Sequence, residues 1–161
     1  MTEREYNECV NLHADGVYRF IVKNLRNEED AKDVVQSAFE KLWINREQVM
    51  QDKIKSYLFT IAYNQMIDFI RKQKRVDHRD SFSENALGSG SINYNTKRIL
   101  DEALAKLTEL QRSLVMLKDY EGYNYAEIGE ILNLNESQVK VYLHRARLQL
   151  RDYIVKMENV I

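Results

Sequence analysis

The sequence predicts an all-α fold in which two small helical domains are joined by a flexible linker. Apolar residues recur every three or four positions over most of the chain, which is the spacing that places them on one face of a helix. Proline is absent and only five glycines occur, so few positions interrupt a helix. A chain of 161 residues is long enough for one ordinary domain or two small ones.

Three amphipathic helices are predicted in the first domain, residues 1–76. The first covers residues 3–23 and turns Val17, Phe20 and Ile21 inward. The next two have apolar stripes of the same spacing, formed by Ala31, Val34, Val35, Ala38, Phe39, Leu42 and Trp43 and by Ile54, Tyr57, Leu58, Ile61, Ala62, Met66, Phe69 and Ile70. Because such stripes can cover one another, the three helices are expected to share one core.

The helical pattern lapses over residues 77–95, which are assigned to the linker. Six of these nineteen residues are serine or glycine and the apolar residues are scattered, a composition typical of a flexible connection. Apolar periodicity resumes at Ile99 and Leu100 and defines a second helical domain, residues 96–161. Each domain is expected to bury a modest core of its own.

Composition narrows the possible classes of protein. Hydrophobic residues make up 44% and charged residues 30%, as in globular proteins. Charged residues interrupt every apolar run well short of the roughly 20 residues that a membrane span needs, and residues 1–5 lack a secretion signal pattern. We therefore expect a cytoplasmic protein without direct membrane insertion. The single cysteine, Cys9, cannot form an internal disulfide and is expected to be a small buried hydrophobe.

Enzymatic function is not indicated. The sequence contains no convergent set of acid, base and nucleophile and no phosphate-cradling GxxxxGK[ST] loop. His13, His78 and His144 lack the spacing of metal ligands. The sequence thus predicts no catalytic residue, no metal, no cofactor and no small-molecule substrate.

The net charge of −1 hides an uneven distribution of charge. Residues 70–79 carry five basic side chains against Asp77, and residues 140–151 carry four with no acid. An acidic cluster lies at residues 28–33. Phosphate binding needs local positive charge rather than a high overall pI. Charge alone leaves equally open that these patches are solvated helix faces.

Residues 125–148 are predicted to form a helix-turn-helix. Ile128, Ile131, Leu132 and Leu134 direct apolar side chains into the angle between the helices, and Gly129 permits their close approach. Asn133 tolerates the left-handed conformation that such a turn demands. Asn135 is a good N-cap for the second helix, with Gln138 placed for a capping box.

The outward face of the second helix suits duplex DNA. Val139, Leu143 and Ala146 face the first helix, and this leaves outward Glu136, Ser137, Gln138, Lys140, Val141, His144, Arg145 and Arg147. The first turn of a recognition helix reaches base edges, while arginines farther along can grip phosphates. The alternatives are a helical hairpin that binds no DNA and, for His144, a surface histidine without function.

The helix over residues 54–75 has a polar outer face and a basic end. This face is formed by Lys55, Ser56, Thr60, Tyr63, Asn64, Asp68, Arg71 and Lys72. Aromatic, amide and basic groups together suit single-stranded nucleic acid. The alternative is that the tyrosines belong to the core.

Several motifs, in their order along the chain, resemble the bacterial sigma factors of the extracytoplasmic-function (ECF) group within the sigma-70 family. Residues 30–43 resemble the helix that binds the RNA polymerase clamp, and residues 54–71 resemble the promoter-melting helix. Residues 107–112, 120–125 and 143–147 resemble the last sigma domain. Thr108 stands where the family usually has proline, but threonine can cap a helix there. Gly129 and Asn133 replace a common alanine and a common glycine.

The resemblance implies a sigma factor that directs core RNA polymerase to promoter DNA and promotes its opening. Polymerase binding would fall to Asp33, Gln36, Phe39, Glu40 and Trp43. The downstream promoter element would be contacted by Lys55, Asn64, Asp68, Arg71 and Lys72, with a flipped base held by the loop 45–53. The helix 135–148 would read the upstream element as a duplex, and an anti-sigma factor is a further expected partner. The alternative is a helix-turn-helix regulator that never joins polymerase.

Overall fold

A computed structural model of the chain describes residues 1–77 and 95–159, and within these ranges it contains helices and no strand. The helices are α1 (Glu3–Leu25), α2 (Glu28–Ile44), α3 (Ile54–Asp77), α4 (Asn95–Lys106), α5 (Glu109–Val115), α6 (Tyr125–Leu132) and α7 (Glu136–Asn159). The all-α prediction is confirmed. The predicted linker lies outside the described residues, except that Asp77 and Asn95 are the ends of α3 and α4.

Side-chain caps fix where several helices begin. Thr2 and Glu5 form a capping box at the start of α1, and the Asn27 side chain accepts from the amide of Asp30 at the start of α2. Thr108 and Gln111 form a second capping box before α5. The prediction that Thr108 caps a helix without proline is therefore confirmed.

Helices α1, α2 and α3 pack around one core, as predicted. Val17, Phe20 and Ile21 are completely buried and meet Leu42 from α2 and Leu58 from α3. Cys9 is also buried, and burial raises the pKa of its thiol to about 11. This thiol is a neutral packing group at physiological pH, in agreement with the prediction.

Helices α4 to α7 form the second helical unit. Its core contains Leu104, Leu114 and Leu143, and α5 continues through a π-helical turn, Met116–Tyr120. The buried Arg112 guanidinium donates to the carbonyl oxygens of Leu104 at 2.9 Å and of Leu107 at 2.7 Å. These bonds satisfy carbonyls at the C-terminal end of α4 that have no partner within the helix.

The two predicted cores are joined in the structure. The Tyr123 ring, from the turn before α6, lies edge-on to Phe59 of α3 with centroids 5.3 Å apart. Phe59 in turn contacts Phe20 at 5.7 Å. Gly122 adopts a left-handed φ of 76°, which redirects the chain before Tyr123. Because Tyr123 lies outside any helical repeat, periodicity does not indicate this contact.

Candidate nucleic-acid interface

Helices α6 and α7 form the predicted helix-turn-helix, and its turn has the expected chemistry. Asn133 ends α6 with φ 60° and ψ 51°, the left-handed conformation. The amide of Leu134 then donates to the carbonyl of Gly129 at 2.9 Å. A Cβ atom added to Gly129 would lie 2.5 Å from the carbonyl oxygen of Leu134. Glycine is therefore required where the turn folds back on α6.

The predicted capping box at the start of α7 is present. The amide of Gln138 donates to Asn135 Oδ1 at 2.8 Å, and the amide of Asn135 donates to Gln138 Oε1 at 3.0 Å. The side-chain oxygen of Gln138 thus caps the helix, and its side-chain nitrogen Nε2 is the group left to hydrogen-bond a base edge.

The inner and outer faces of α7 follow the prediction. Val139, Leu143 and Ala146 are buried against the rest of the unit. The predicted DNA-facing residues are exposed apart from the half-buried Gln138: Glu136, Ser137, Lys140, Val141, His144, Arg145 and Arg147. The Lys140 ammonium lies 5.4 Å from the centroid of the Tyr125 ring, on which Lys118 also lies at 4.7 Å. These lysines place positive charge beside the first turn of α7.

The two arginines of the outer face differ in their surroundings. Arg147 makes a bidentate pair with Asp119, with Nε–Oδ2 and Nη2–Oδ1 distances of 3.1 and 2.5 Å. This hydrogen bonding raises the pKa of the Arg147 guanidinium above its ordinary value. Arg145 lies near Thr108 and Tyr142 and makes no ion pair within the described part of the chain. Sequence reasoning missed Asp119, because it is separated from Arg147 by 28 positions and no pattern links the two.

Helix α3 places four of the five predicted downstream-element residues together. Asn64, Asp68, Arg71 and Lys72 share one exposed face. Lys55 lies on the opposite side of the helix, where its ammonium is 4.6 Å from the centroid of the Tyr123 ring. The structure therefore separates Lys55 from the other four.

The other predicted outer-face residues of α3 are less exposed than expected. Ser56 is buried, which corrects its assignment to the surface, and Thr60 and Tyr63 are half-buried. The Thr60 hydroxyl donates to the carbonyl of Ser56 at 2.8 Å, inside the helix. Tyr57 and Tyr63 pack against the core, as the alternative interpretation of the tyrosines proposed.

The loop 45–53 is built from two short 3₁₀ turns, Arg46–Gln48 and Gln51–Lys53. Val49 between them is buried and anchors the loop to the core, whereas the neighbouring Met50 is 69% exposed. The loop is therefore fixed at its centre and presents side chains on either side of that anchor.

The exposed side of α2 carries most of the predicted polymerase-binding residues. Asp33, Gln36 and Glu40 are exposed at helical spacing, and Gln36 donates to Glu40 at 3.2 Å. Trp43 is half-buried, with the Arg46 guanidinium 3.9 Å from its ring centroid. Phe39 is buried, so its ring supports this surface from the core.

Comparison with known proteins agrees with this geometry. The family model for sigma-70 region 2 matches residues 9–76, and that for sigma-70 region 4 matches residues 97–150. The RNA polymerase sigma factor SigV of Bacillus subtilis is 31% identical over 149 residues, which cover 92% of this chain and 90% of the relative. The ECF RNA polymerase sigma factor SigM of the same organism is 29% identical over 150 residues, which cover 90% of this chain and 92% of the relative.

Two solved structures share the fold across both helical units. The sigma factor RpoE, in complex with the anti-sigma factor NepR from Bartonella quintana, gives a TM-score of 0.82 at 22% identity and covers 94% of this chain and 97% of that one. CnrH, in complex with the cytosolic domain of CnrY, gives a TM-score of 0.73 at 22% identity. The match covers 96% of this chain and 90% of CnrH.

A capped recognition helix in the second unit and a polar, partly basic face on α3 of the first unit are typical of a two-part DNA-binding transcription protein. The chain belongs to the sigma-70 family of RNA polymerase sigma factors, in its ECF group. It is thus a sigma factor, which directs RNA polymerase to promoters, and the stand-alone regulator is not favoured. Family members are regulators rather than catalysts. Among the described residues, no helix is long and apolar enough to cross a bilayer.

Proposed function

We propose that this sigma factor grips a promoter at two points while α2 holds core RNA polymerase. The observation that carries this proposal is the recognition helix: α7 is fixed by its cap and turn, and it presents a polar, basic face. Glu136, Ser137, Gln138, Lys140 and Val141 read base edges of the upstream element in the major groove. His144, Arg145 and Arg147 lie farther along α7 and face the phosphates.

The second contact is with the downstream element, which binds as a single strand. Asn64, Asp68, Arg71 and Lys72 form the exposed face of α3 that contacts it, and the loop 45–53 holds one flipped base. Extruding a base costs a few kcal/mol of stacking, which binding to α3 and the loop offsets. The free energy of opening comes from binding within the holoenzyme, and this chain hydrolyses no nucleotide.

Core polymerase binds the exposed side of α2 in this proposal, through Asp33, Gln36, Glu40 and Trp43. Phe39 acts beneath them by keeping the helix in place. Since polymerase works in the cytoplasm, we place the chain there as well.

An anti-sigma factor is proposed as a further partner, because RpoE and CnrH were solved in complex with NepR and CnrY. Affinity capture of the tagged chain from its native cells, across growth conditions, is expected to recover one inhibitory protein. Failure to recover any protein that blocks initiation would count against this partner.

Run-off transcription tests the function itself. Purified core polymerase, the chain and genomic DNA fragments should give transcripts from a small set of start sites, and the chain should co-elute with core in gel filtration. A regulator that never joins polymerase would bind DNA but neither co-elute nor initiate. That result would exclude the sigma function.

A further inference from the structure

We propose that Asp119 withholds Arg147 from the DNA backbone and thereby limits how tightly the upstream promoter element is held. Arg147 is one of three residues of α7 that face phosphates in the proposed function, whereas Asp119 lies outside α7. This role of Asp119 rests on the proposed function, since it concerns the strength of the same contact with DNA. Both residues belong to the second helical unit.

Arg147 lies on the side of α7 that meets DNA in the proposed function. Lys140, His144 and Arg147 follow one another at intervals of four and three residues, which places their side chains in one row along the helix. All three are exposed. A carboxylate that contacts Arg147 therefore lies beside the surface that a phosphate would approach.

Asp119 reaches this surface from the π-helical turn Met116–Tyr120. The first two residues of the turn are buried and anchor it, whereas Asp119 is exposed. The preceding residue, Lys118, places its ammonium 4.7 Å from the centroid of the Tyr125 ring. Two consecutive residues of opposite charge thus contact the helix-turn-helix from one wide turn. Turns of this kind often occur at functional sites.

The Arg147–Asp119 pair occupies hydrogen-bond donors that a phosphate would use. Arg147 Nε donates to Asp119 Oδ2 at 3.1 Å, and Nη2 donates to Oδ1 at 2.5 Å, so both carboxylate oxygens are bound. Arginine binds carboxylates and phosphates through the same bidentate geometry. A phosphate can take these two nitrogens only in place of Asp119.

The pair also cancels the charge that Arg147 would offer to DNA. While the two side chains are bonded, a nearby phosphate meets a positive and a negative group together, and their fields largely offset each other. Among the described residues, Lys140 and Arg145 make no ion pair, so each carries its full charge. Asp119 thus lowers the net positive charge of this surface by one.

The pair can be broken without removing a support of the core. The side chains of Arg147 and Asp119 are 44% and 40% exposed, and ion pairs at such sites stabilise a fold only slightly. Asp119→Asn keeps the shape of the side chain and one acceptor oxygen but removes its charge. This variant therefore frees the charge of Arg147 and leaves the helix-turn-helix folded.

Binding of the full-length chain to a fluorescent duplex that carries the upstream element tests this role, by anisotropy between about 50 and 200 mM salt. Asp119→Asn should bind several-fold more tightly than the wild type at the lower salt. The slope of log affinity against log salt should steepen by about 1, because one more phosphate is neutralised. The double variant Asp119→Asn/Arg147→Gln should return affinity and slope to wild-type values, because the pair that it removes carries no net charge.

The matched control is Glu8→Gln, which removes the same charge from the Arg4–Glu8 pair on α1 and should change neither quantity. Thermal unfolding shows whether each variant is folded at the assay temperature. If Asp119 only held α7 in place, Asp119→Asn would both melt earlier and bind DNA more weakly.

Two results would overturn the role of Asp119 and leave the proposed function standing. One is equal or weaker binding by Asp119→Asn, and the other is weaker binding by the double variant than by the wild type, since Arg147 would then already hold a phosphate. If neither the wild type nor any variant binds the duplex, the proposed function fails at the upstream element, and the role of Asp119 fails with it.

Discussion

Arg145 and Arg147 show how two identical side chains on one helix acquire different roles. The charge of Arg147 is balanced by Asp119 through two hydrogen bonds, whereas Arg145 makes no ion pair within the residues that the structure describes. A phosphate must compete with Asp119 for Arg147, but it meets no such competitor at Arg145. We therefore expect Arg147 to help hold α7 in place through Asp119 and to depend less on phosphate than Arg145 does.

Salt dependence of binding distinguishes these roles. Arg145→Ala should weaken binding to upstream-element duplex and reduce the slope of log affinity against log salt by about 1, since one phosphate contact is lost. Lys140→Ala should also weaken binding, and Arg147→Ala should change the slope less. Fluorescence anisotropy between about 50 and 200 mM salt measures this, with Gln149→Ala as the control. An unchanged slope and affinity in both Arg145→Ala and Lys140→Ala would contradict the assigned DNA contacts.

We expect His13 to make the stability of the chain sensitive to mild acid. Burial lowers the pKa of His13, Lys55 on α3 lowers it further, and Glu121 raises it. The folded state therefore favours neutral imidazole. The stabilisation that neutral His13 provides is complete above about pH 6.5, the pKa of histidine in the unfolded chain. It is lost as the pH falls toward the lower pKa that His13 has in the folded state.

Urea unfolding at pH 7.5 and 5.5 tests this linkage. The wild type should lose free energy of unfolding at the lower pH, and His13→Gln should lose less. His144→Gln is the matched control, because His144 is exposed on α7. An equal loss in wild type and His13→Gln would show that the acid effect arises elsewhere.

At the scale of secondary-structure elements, the turn between α6 and α7 accounts for two residues that depart from the common family pattern. Gly129 stands where alanine is common because the carbonyl of Leu134 occupies the space of a Cβ atom. Asn133 stands where glycine is common because asparagine tolerates the left-handed conformation observed there. The two changes preserve the turn.

Gly129→Ala should lower the free energy of unfolding by about 1–3 kcal/mol, the usual cost of overpacking a tight site. Gly16→Ala is the matched control. Its added methyl group meets only the end of the Glu121 side chain, and alanine favours the helix. Urea denaturation measures both variants. A Gly129→Ala protein as stable as the wild type would contradict the close contact with Leu134.

Across the whole molecule, local features were predictable and contacts between the two units were not. Helical periodicity predicted α1, α2 and α3, and cap chemistry predicted the starts of α5 and α7. The Arg19–Glu121 pair spans 102 positions and leaves no periodic trace in the sequence. For the same reason, the sequence grouped Lys55 with the outer face of α3, although the structure turns it toward Tyr123.

The proposed function separates promoter selection from promoter opening. In that proposal α7 selects the upstream duplex, whereas α3 and the loop 45–53 act on the single strand. A variant that alters only α3 should thus still locate promoters.

Permanganate probing of a promoter identified by run-off tests the central claim most directly. Core polymerase with the chain should make thymines of the downstream element reactive without nucleotide hydrolysis, and neither component alone should do so. Arg71→Ala on α3 should reduce this reactivity while upstream protection persists. If thymines become reactive without the chain, or stay unreactive when the chain and core are both bound, the chain does not open promoters as a sigma factor.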